Sequence, residues 1–150
     1  MVGIGALGCL LGAYLSDNAE VILIGHWPEQ VAGISRSGLS IENADGRITH
    51  HTLTITDDPT SIGEVDVALV VVKSRQTLDA AHTVAKILKP DGLAITLQNG
   101  LNNCATLRSV LGASRVTLGV TSQGATVLGV AKIRHAGHGP THFGRDPLLG

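Results

Sequence analysis

The sequence predicts an α/β fold built on a doubly wound, mostly parallel sheet. Three observations predict it. Short apolar runs alternate with longer stretches of helical periodicity along the 150 residues. The chain is 43% hydrophobic yet holds one Phe, one Trp and one Tyr, so its core is aliphatic. Such a core suits parallel strands covered by helices on both faces. A glycine-punctuated turn, Gly3, Gly5 and Gly8, opens a helix close to the start of the chain.

Met1 and Val2 alone precede the first glycine, so the opening strand is expected to be clipped. Residues 6–15 read as a helix, with Leu7, Leu10, Leu11 and Tyr14 at helical spacing and Asp17 and Asn18 at its end. Residues 21–24 form a short apolar strand stopped by Gly25. Residues 28–35 read as a helix, with Pro28 in its first turn and Gly38 beyond its end. Residues 39–42 and 47–55 are strand-like around Asn43, Ala44, Asp45 and Gly46, which predicts a hairpin. Asp57, Asp58 and Pro59 make a turn before the apolar strand 65–72. A helix over 76–88 is expected to be closed by Pro90 and Gly92. Strand 93–97, helix 102–111 ended by Gly112, and strand 116–120 follow, and 125–133 is strand material around Gly129. Residues 145–150 read as a loop. Strands alternating with helices in this order give a doubly wound sheet with its turns at one edge, and residues 1–150 read as a single domain.

Composition excludes several classes. Eleven Lys and Arg face twelve Asp and Glu, a net charge of −1, and no basic patch suits a phosphate backbone, so nucleic acid is not an expected partner. Cys9 and Cys104 are too far apart for a metal motif or a disulfide framework, which points to a reducing, cytoplasmic setting. The apolar stretch 6–15 lacks a basic lead and a cleavage site, and run 67–72 is too short to span a bilayer, so no membrane role is expected.

The glycines spell G-x-G-x-x-G, and a helix and then an apolar strand follow. That strand ends about twenty residues on, the spacing of a Rossmann-type dinucleotide fold. Gly3 allows the tight turn, Gly5 the approach of a pyrophosphate, and Gly8 close helix–strand packing. Ile4, Ala6 and Leu7 complete the turn, whose N–H groups would face the phosphates. At the end of the second strand, where an acid would hold the ribose hydroxyls of NAD, stand Gly25, His26, Trp27 and Pro28. An acid there would repel a 2′-phosphate, so its absence, with His26 as a donor, favours NADP(H). The alternative for His26 is a surface loop residue.

Several segments combine with this turn: GIGALG (3–8), VALVVVKSRQT (67–77), LQNGLNN (97–103), GVTSQGA (119–125) and IRHAGHGPTHFG (133–144). Together, in this order, they resemble the amino-terminal half of the ketopantoate reductase (2-dehydropantoate 2-reductase) family. The resemblance implies NADPH-dependent reduction of the C2 ketone of 2-dehydropantoate (ketopantoate) to (R)-pantoate, on the route to pantothenate and coenzyme A. It implies that residues 3–8 hold the pyrophosphate and that Lys73, with Gln76, lies beside the cofactor. Asn99 then touches the nicotinamide side and the substrate, and the backbone near Ala125 borders the cofactor. His26 stands where some members carry a basic residue for the 2′-phosphate.

Physical expectation agrees. Lys73 follows a very apolar strand and Asn99 the next one, at the sheet edge where ligands bind. A solvated lysine and a plain Asn-Gly turn are the simpler readings of these two positions. The family's second half is a helical domain carrying the general-acid lysine and substrate-gripping groups, and neither Lys73 nor Lys132 matches that acid. The chain is therefore expected to be a fragment, inactive and poorly soluble alone, from a protein that forms a homodimer when full length. The alternatives are a non-catalytic NAD(P)-binding module, or a dehydrogenase of another 2-keto or hydroxy acid. His135, His138 and His142 lie in a glycine-rich stretch with no acidic or Cys ligand, read as a polar turn and not a metal site. His50 and His51 point to opposite faces of a strand.

Overall fold

The computed structural model describes residues 1–144; the loop expected at 145–150 lies outside the described residues. In chain order the elements are α1 (Ala6–Leu15), β1 (Ile22–Ile24), α2 (Pro28–Ser37), β2 (Leu39–Glu42), β3 (Ile48–His51) and β4 (Thr54–Thr56). There follow β5 (Val65–Val70), α3 (Thr77–Ile87), β6 (Leu88–Thr96), α4 (Leu101–Leu111) and β7 (Val116–Thr121). The last are β8 (Gly124–Gly129), β9 (Lys132–Gly137) and β10 (Thr141–Phe143). The expected α/β architecture with parallel strands and covering helices is present. The chain divides into two compact units.

The first unit holds Met1, Gly3–Asp57 and Ser122–Pro140. Strand β1 pairs in parallel with β4, and a four-stranded sheet runs in the order β3-β2-β9-β8, with β2 and β9 parallel. Its core is aliphatic: Leu10, Leu23, Ile34, Leu39, Ile41 and Ile133 are fully buried around Ile4, Cys9 and Ala13. Helix α1 faces this core through Cys9, Leu10, Gly12 and Ala13, whereas Tyr14 is exposed along its body.

The second unit holds Val2, Asp58–Thr121 and the residues from Thr141. Its sheet has the order β10-β7-β6-β5, with β5, β6 and β7 parallel and β10 antiparallel. Val2 makes a parallel bridge to Val70, donating to Leu69 O at 2.7 Å and accepting from Val71 at 2.9 Å. In the first unit Met1 O accepts the Ile24 N–H at 2.8 Å. Helices α3 and α4 pack together, and α3 buries Ala80, Ala81, Val84 and Ile87.

Three expected elements differ. The strand read over 47–55 is two strands, because β3 pairs with β2 and β4 with β1, and the buried Leu53 marks the switch of partner. Gly38, at φ +73°, lets His51 O approach to 2.6 Å from where a Cβ would stand. Pro90 and Gly92 do not close α3: the chain leaves the helix directly into β6 at Leu88. It slips register between the pairs Val65–Leu88 and Val67–Leu93, so Pro90 sits in a bulge without a ladder bond to lose. The stretch 125–133 is a β8–β9 hairpin turning at Val130 and Ala131, and β9 runs on to Gly137. His135 therefore lies inside a strand rather than in a turn.

Candidate functional site

In the first unit the glycine turn runs from Gly3 into α1. Gly3 has φ +119°, a conformation glycine adopts without penalty, and it donates to Ile24 O at 2.9 Å. Ile4 is buried, and its side chain fills the space in front of Gly25, where a Cβ would come within 2.5 Å of it. The loop carrying the exposed His26 is thereby laid against the glycine turn. Gly5 is the N-cap of α1, with no side-chain cap, and no acid follows in the first turn. A Cβ on Gly5 would meet nothing within 4 Å. Ala6, Leu7 and Gly8 form the first turn, whose N–H groups have no intrahelical acceptor. An uncapped helix start beside open space suits an anion.

A buried glutamine supports this turn. Gln30 of α2 is fully enclosed, and its Nε2 donates to Ile4 O at 3.4 Å and lies 3.5 Å from Cys9 Sγ. Its Oε1 accepts the Ala131 N–H at 2.7 Å. Cys9 Sγ also donates to Ile4 O at 3.4 Å, and burial pushes its thiol up to about 11, against a smaller opposing effect of the Gln30 hydrogen bond. Ala125 lies in β8 opposite His135. Tyr14 Oη lies 2.8 Å from His135 Nδ1, and His135 Nε2 lies 2.7 Å from Gln123 Oε1. Gln123 gives its amide N–H to Gly139 O, so its oxygen faces the ring and takes the Nε2 proton, leaving Nδ1 to accept from Tyr14. Burial, and then the neighbouring His138 ring 3.7 Å away, hold the His135 pKa below its ordinary value. His50 meets Ser40 and His51 meets Thr49, separately. Among the described residues no group of three or more His, Cys, Asp or Glu is placed to hold a metal.

In the second unit Lys73 is exposed and caps a single 3-10 turn, Ser74–Gln76, accepting the Gln76 N–H at 2.8 Å. Asn99 is exposed just after Leu97, followed by Gly100 at φ +107°, which caps α4. The structure brings these two turns together through their neighbours. Asn103 Nδ2 donates to Asn99 O at 2.7 Å and to Ser74 Oγ at 3.1 Å, and Ser74 Oγ lies 3.4 Å from Asn99 O. Thr77, Gln98 and Asn103 are buried polar residues that lie within the segments 67–77 and 97–103 but are assigned no role there by sequence alone. Their signal is polar residues at core positions directly beside two suspected site residues.

The chain is 35% identical over 145 residues to the 2-dehydropantoate 2-reductase of Halobacterium salinarum, covering 95% of this chain and 47% of that protein. A ketopantoate reductase of the PanE/ApbA family from Ralstonia eutropha superposes with a TM-score of 0.85 at 32% identity, covering 95% of this chain and 49% of that one. D-mandelate dehydrogenase, solved with NADH and anilino(oxo)acetate, shares the fold, with a TM-score of 0.83 at 23% identity over 95% of this chain and 47% of that one. The chain spans about half the length of the relatives it matches, 47% for the first of them. Residues 1–147 match the family model described as ketopantoate reductase PanE/ApbA, and the chain belongs to that family.

Proposed function

We propose that this chain is the NADP(H)-binding part of a cytoplasmic reductase that converts 2-dehydropantoate to (R)-pantoate, on the route to pantothenate and coenzyme A. The observation that carries the reading is the Gly5 helix start: uncapped, without an acid in its first turn, and open where a side chain would stand. Gly3, Ile4, Gly5, Ala6, Leu7 and Gly8 form the turn that holds the pyrophosphate; Gly3 shapes it, with its own N–H spent on Ile24 O, and the free N–H groups at the start of α1 face the phosphates. His26 donates toward the 2′-phosphate, and Lys73, Gln76 and the backbone at Ala125 border the cofactor. Asn99 orients the nicotinamide and the keto acid with a neutral amide, adding no charge near the reacting carbon.

NADPH, when bound, supplies the hydride to the C2 ketone, whose oxygen gains a proton as the C–O π bond breaks. The ammonium of Lys73, on the exposed turn after β5, stabilises the negative charge that builds on that oxygen. The proton itself is assigned to neither Lys73 nor Lys132. Family membership supports the substrate, and the backbone of Gly5 (φ −71°, ψ −172°) lies in the β region open to side chains, which makes the test clean. Gly5→Val is compatible with that backbone and that open space, so folding is retained, while NADPH binding is lost. NADPH affinity by fluorescence titration and ketopantoate-dependent NADPH oxidation by the intact protein check it. Unchanged NADPH affinity in Gly5→Val overturns the assignment of the turn, and no ketopantoate-dependent oxidation overturns the substrate.

A further inference from the structure

We propose that Thr77, Gln98 and Asn103 are positioning residues, whose buried hydrogen-bond network holds the Lys73 turn and the Asn99 turn in one fixed arrangement so that both serve the same ligand. The proposal rests on the reading of Lys73 and Asn99 given above.

The network brackets Lys73 on both sides. Gln98 Nε2 donates to Val72 O at 2.7 Å and to Thr77 Oγ1 at 2.9 Å, while its Oε1 accepts from Thr96 Oγ1 at 3.1 Å. Thr77 Oγ1 lies 2.9 Å from Ser74 O and 2.9 Å from Asn103 Oδ1, and its single proton serves these two acceptors. The carbonyls before and after Lys73 are therefore both tied to the same cluster. Asn103 closes the path, because its two amide protons go to Asn99 O and Ser74 Oγ. The thread runs Val72, Gln98, Thr77, Asn103, Asn99, and Ser74 is bonded to its last three members.

Aliphatic side chains would fill this space without the desolvation cost of three enclosed polar groups, which are 2%, 8% and 4% exposed. A network in which each donor has an acceptor does what aliphatic packing does not: it admits one relative placement of the two turns. Exposed Lys73 and Asn99 have little packing of their own, so their placement depends on the backbone beneath them. A displacement of about one ångström there is costly for a hydride transfer, whose donor and acceptor must be aligned.

The experiment is NADPH titration of the intact protein, with the KM for ketopantoate read beside it. Thr77→Val keeps the shape and removes the hydroxyl, and it should weaken NADPH binding about tenfold. Thr77→Ser restores the hydroxyl and should restore affinity. In the Lys73→Ala/Asn99→Ala background, Thr77→Val should cost nothing further, because what it positions is gone. If Lys73→Ala and Asn99→Ala change neither affinity nor KM, the reading of those two residues fails and the proposal with it. If they do matter but Thr77→Val binds like wild type, the network proposal alone is overturned. It is overturned too if Thr77→Ser is as impaired as Thr77→Val, or if Thr77→Val is equally costly in the double background. Should Thr77→Val lack a cooperative melt, Asn103→Ala is read against the same expectations.

Discussion

The side-chain carbonyl of Gln30 accepts the N–H of Ala131 at 2.7 Å, 101 residues away in sequence. Ala131 is a non-glycine residue at φ +56°, held in the hairpin turn between β8 and β9. The other end of the same carboxamide reaches Ile4 O in the glycine turn. One buried side chain thus connects the hairpin, α2 and the candidate phosphate-binding turn of the first unit. Gln30→Leu fills the space but leaves the Ala131 N–H without its acceptor. We expect a loss of about 1–3 kcal/mol in chemical denaturation. We also expect weaker NADPH binding, because Ile4 sits between Gly3 and Gly5. An unchanged denaturation midpoint would show that water replaces the glutamine at no cost.

Gly12 of α1 crosses β1 so closely that a Cβ would stand 2.5 Å from Leu23 Cδ2. Leu23 is fully buried, so it has little room to move aside. Gly12→Val therefore forces helix and strand apart and should cost about 1–3 kcal/mol by overpacking. Thermal denaturation of the variant checks this, with Gly46→Ser as a contrast, since its position is open although its φ is +83°. The contrast variant is expected to lose only the smaller backbone penalty of that turn, about 1–2 kcal/mol at most.

Much of this is legible in the sequence for simple reasons. The helices at 6–15 and 102–111 and the strands at 39–42 and 116–120 have strong periodicity and turn residues at their ends, and they appear within a residue or two. The glycine turn is legible because Gly3 answers a backbone demand, at φ +119°, and Gly5 leaves open space where a side chain would stand. The break within 47–55 is not, because nothing local in Thr52 and Leu53 announces a change of pairing partner. Pro90 and Gly92 mislead because a bulge and a helix stop use the same residues. Neighbouring glycines make His135 look like a turn residue, yet strand pairing with Ala125 decides its burial. The buried support of the site, Thr77, Gln98 and Asn103, depends on contacts over 21 to 26 residues, which no local pattern encodes.

Burial, and then the His138 ring, hold the pKa of His135 in the folded chain below its ordinary value. The unfolded chain then binds more protons than the folded one between the folded and unfolded pKa values. Stability from this group is fully present above the unfolded value, about 6.5, and is lost as pH falls through the folded one. We expect the urea midpoint to drop on going from pH 7 to pH 5 by more in wild type than in His135→Gln. Equal slopes in the two proteins would remove His135 as the cause.

His26 decides whether the nucleotide preference follows from this chain's own residues. It is exposed on the loop after Gly25, which Ile4 pins beside the glycine turn. An acid at this position repels a 2′-phosphate, and a cation attracts it. His26→Asp should weaken NADPH binding by about tenfold, with NADH binding unchanged or tighter. His26→Arg should tighten NADPH alone, and the gain should shrink with added salt, because the contact is solvent-exposed. Paired titrations with NADPH and NADH at two ionic strengths test both variants. If the Asp variant weakens both nucleotides equally, His26 affects the loop and not the phosphate. If neither variant changes the ratio of the two affinities, the preference is set elsewhere, and the assignment of His26 falls while that of the glycine turn stands.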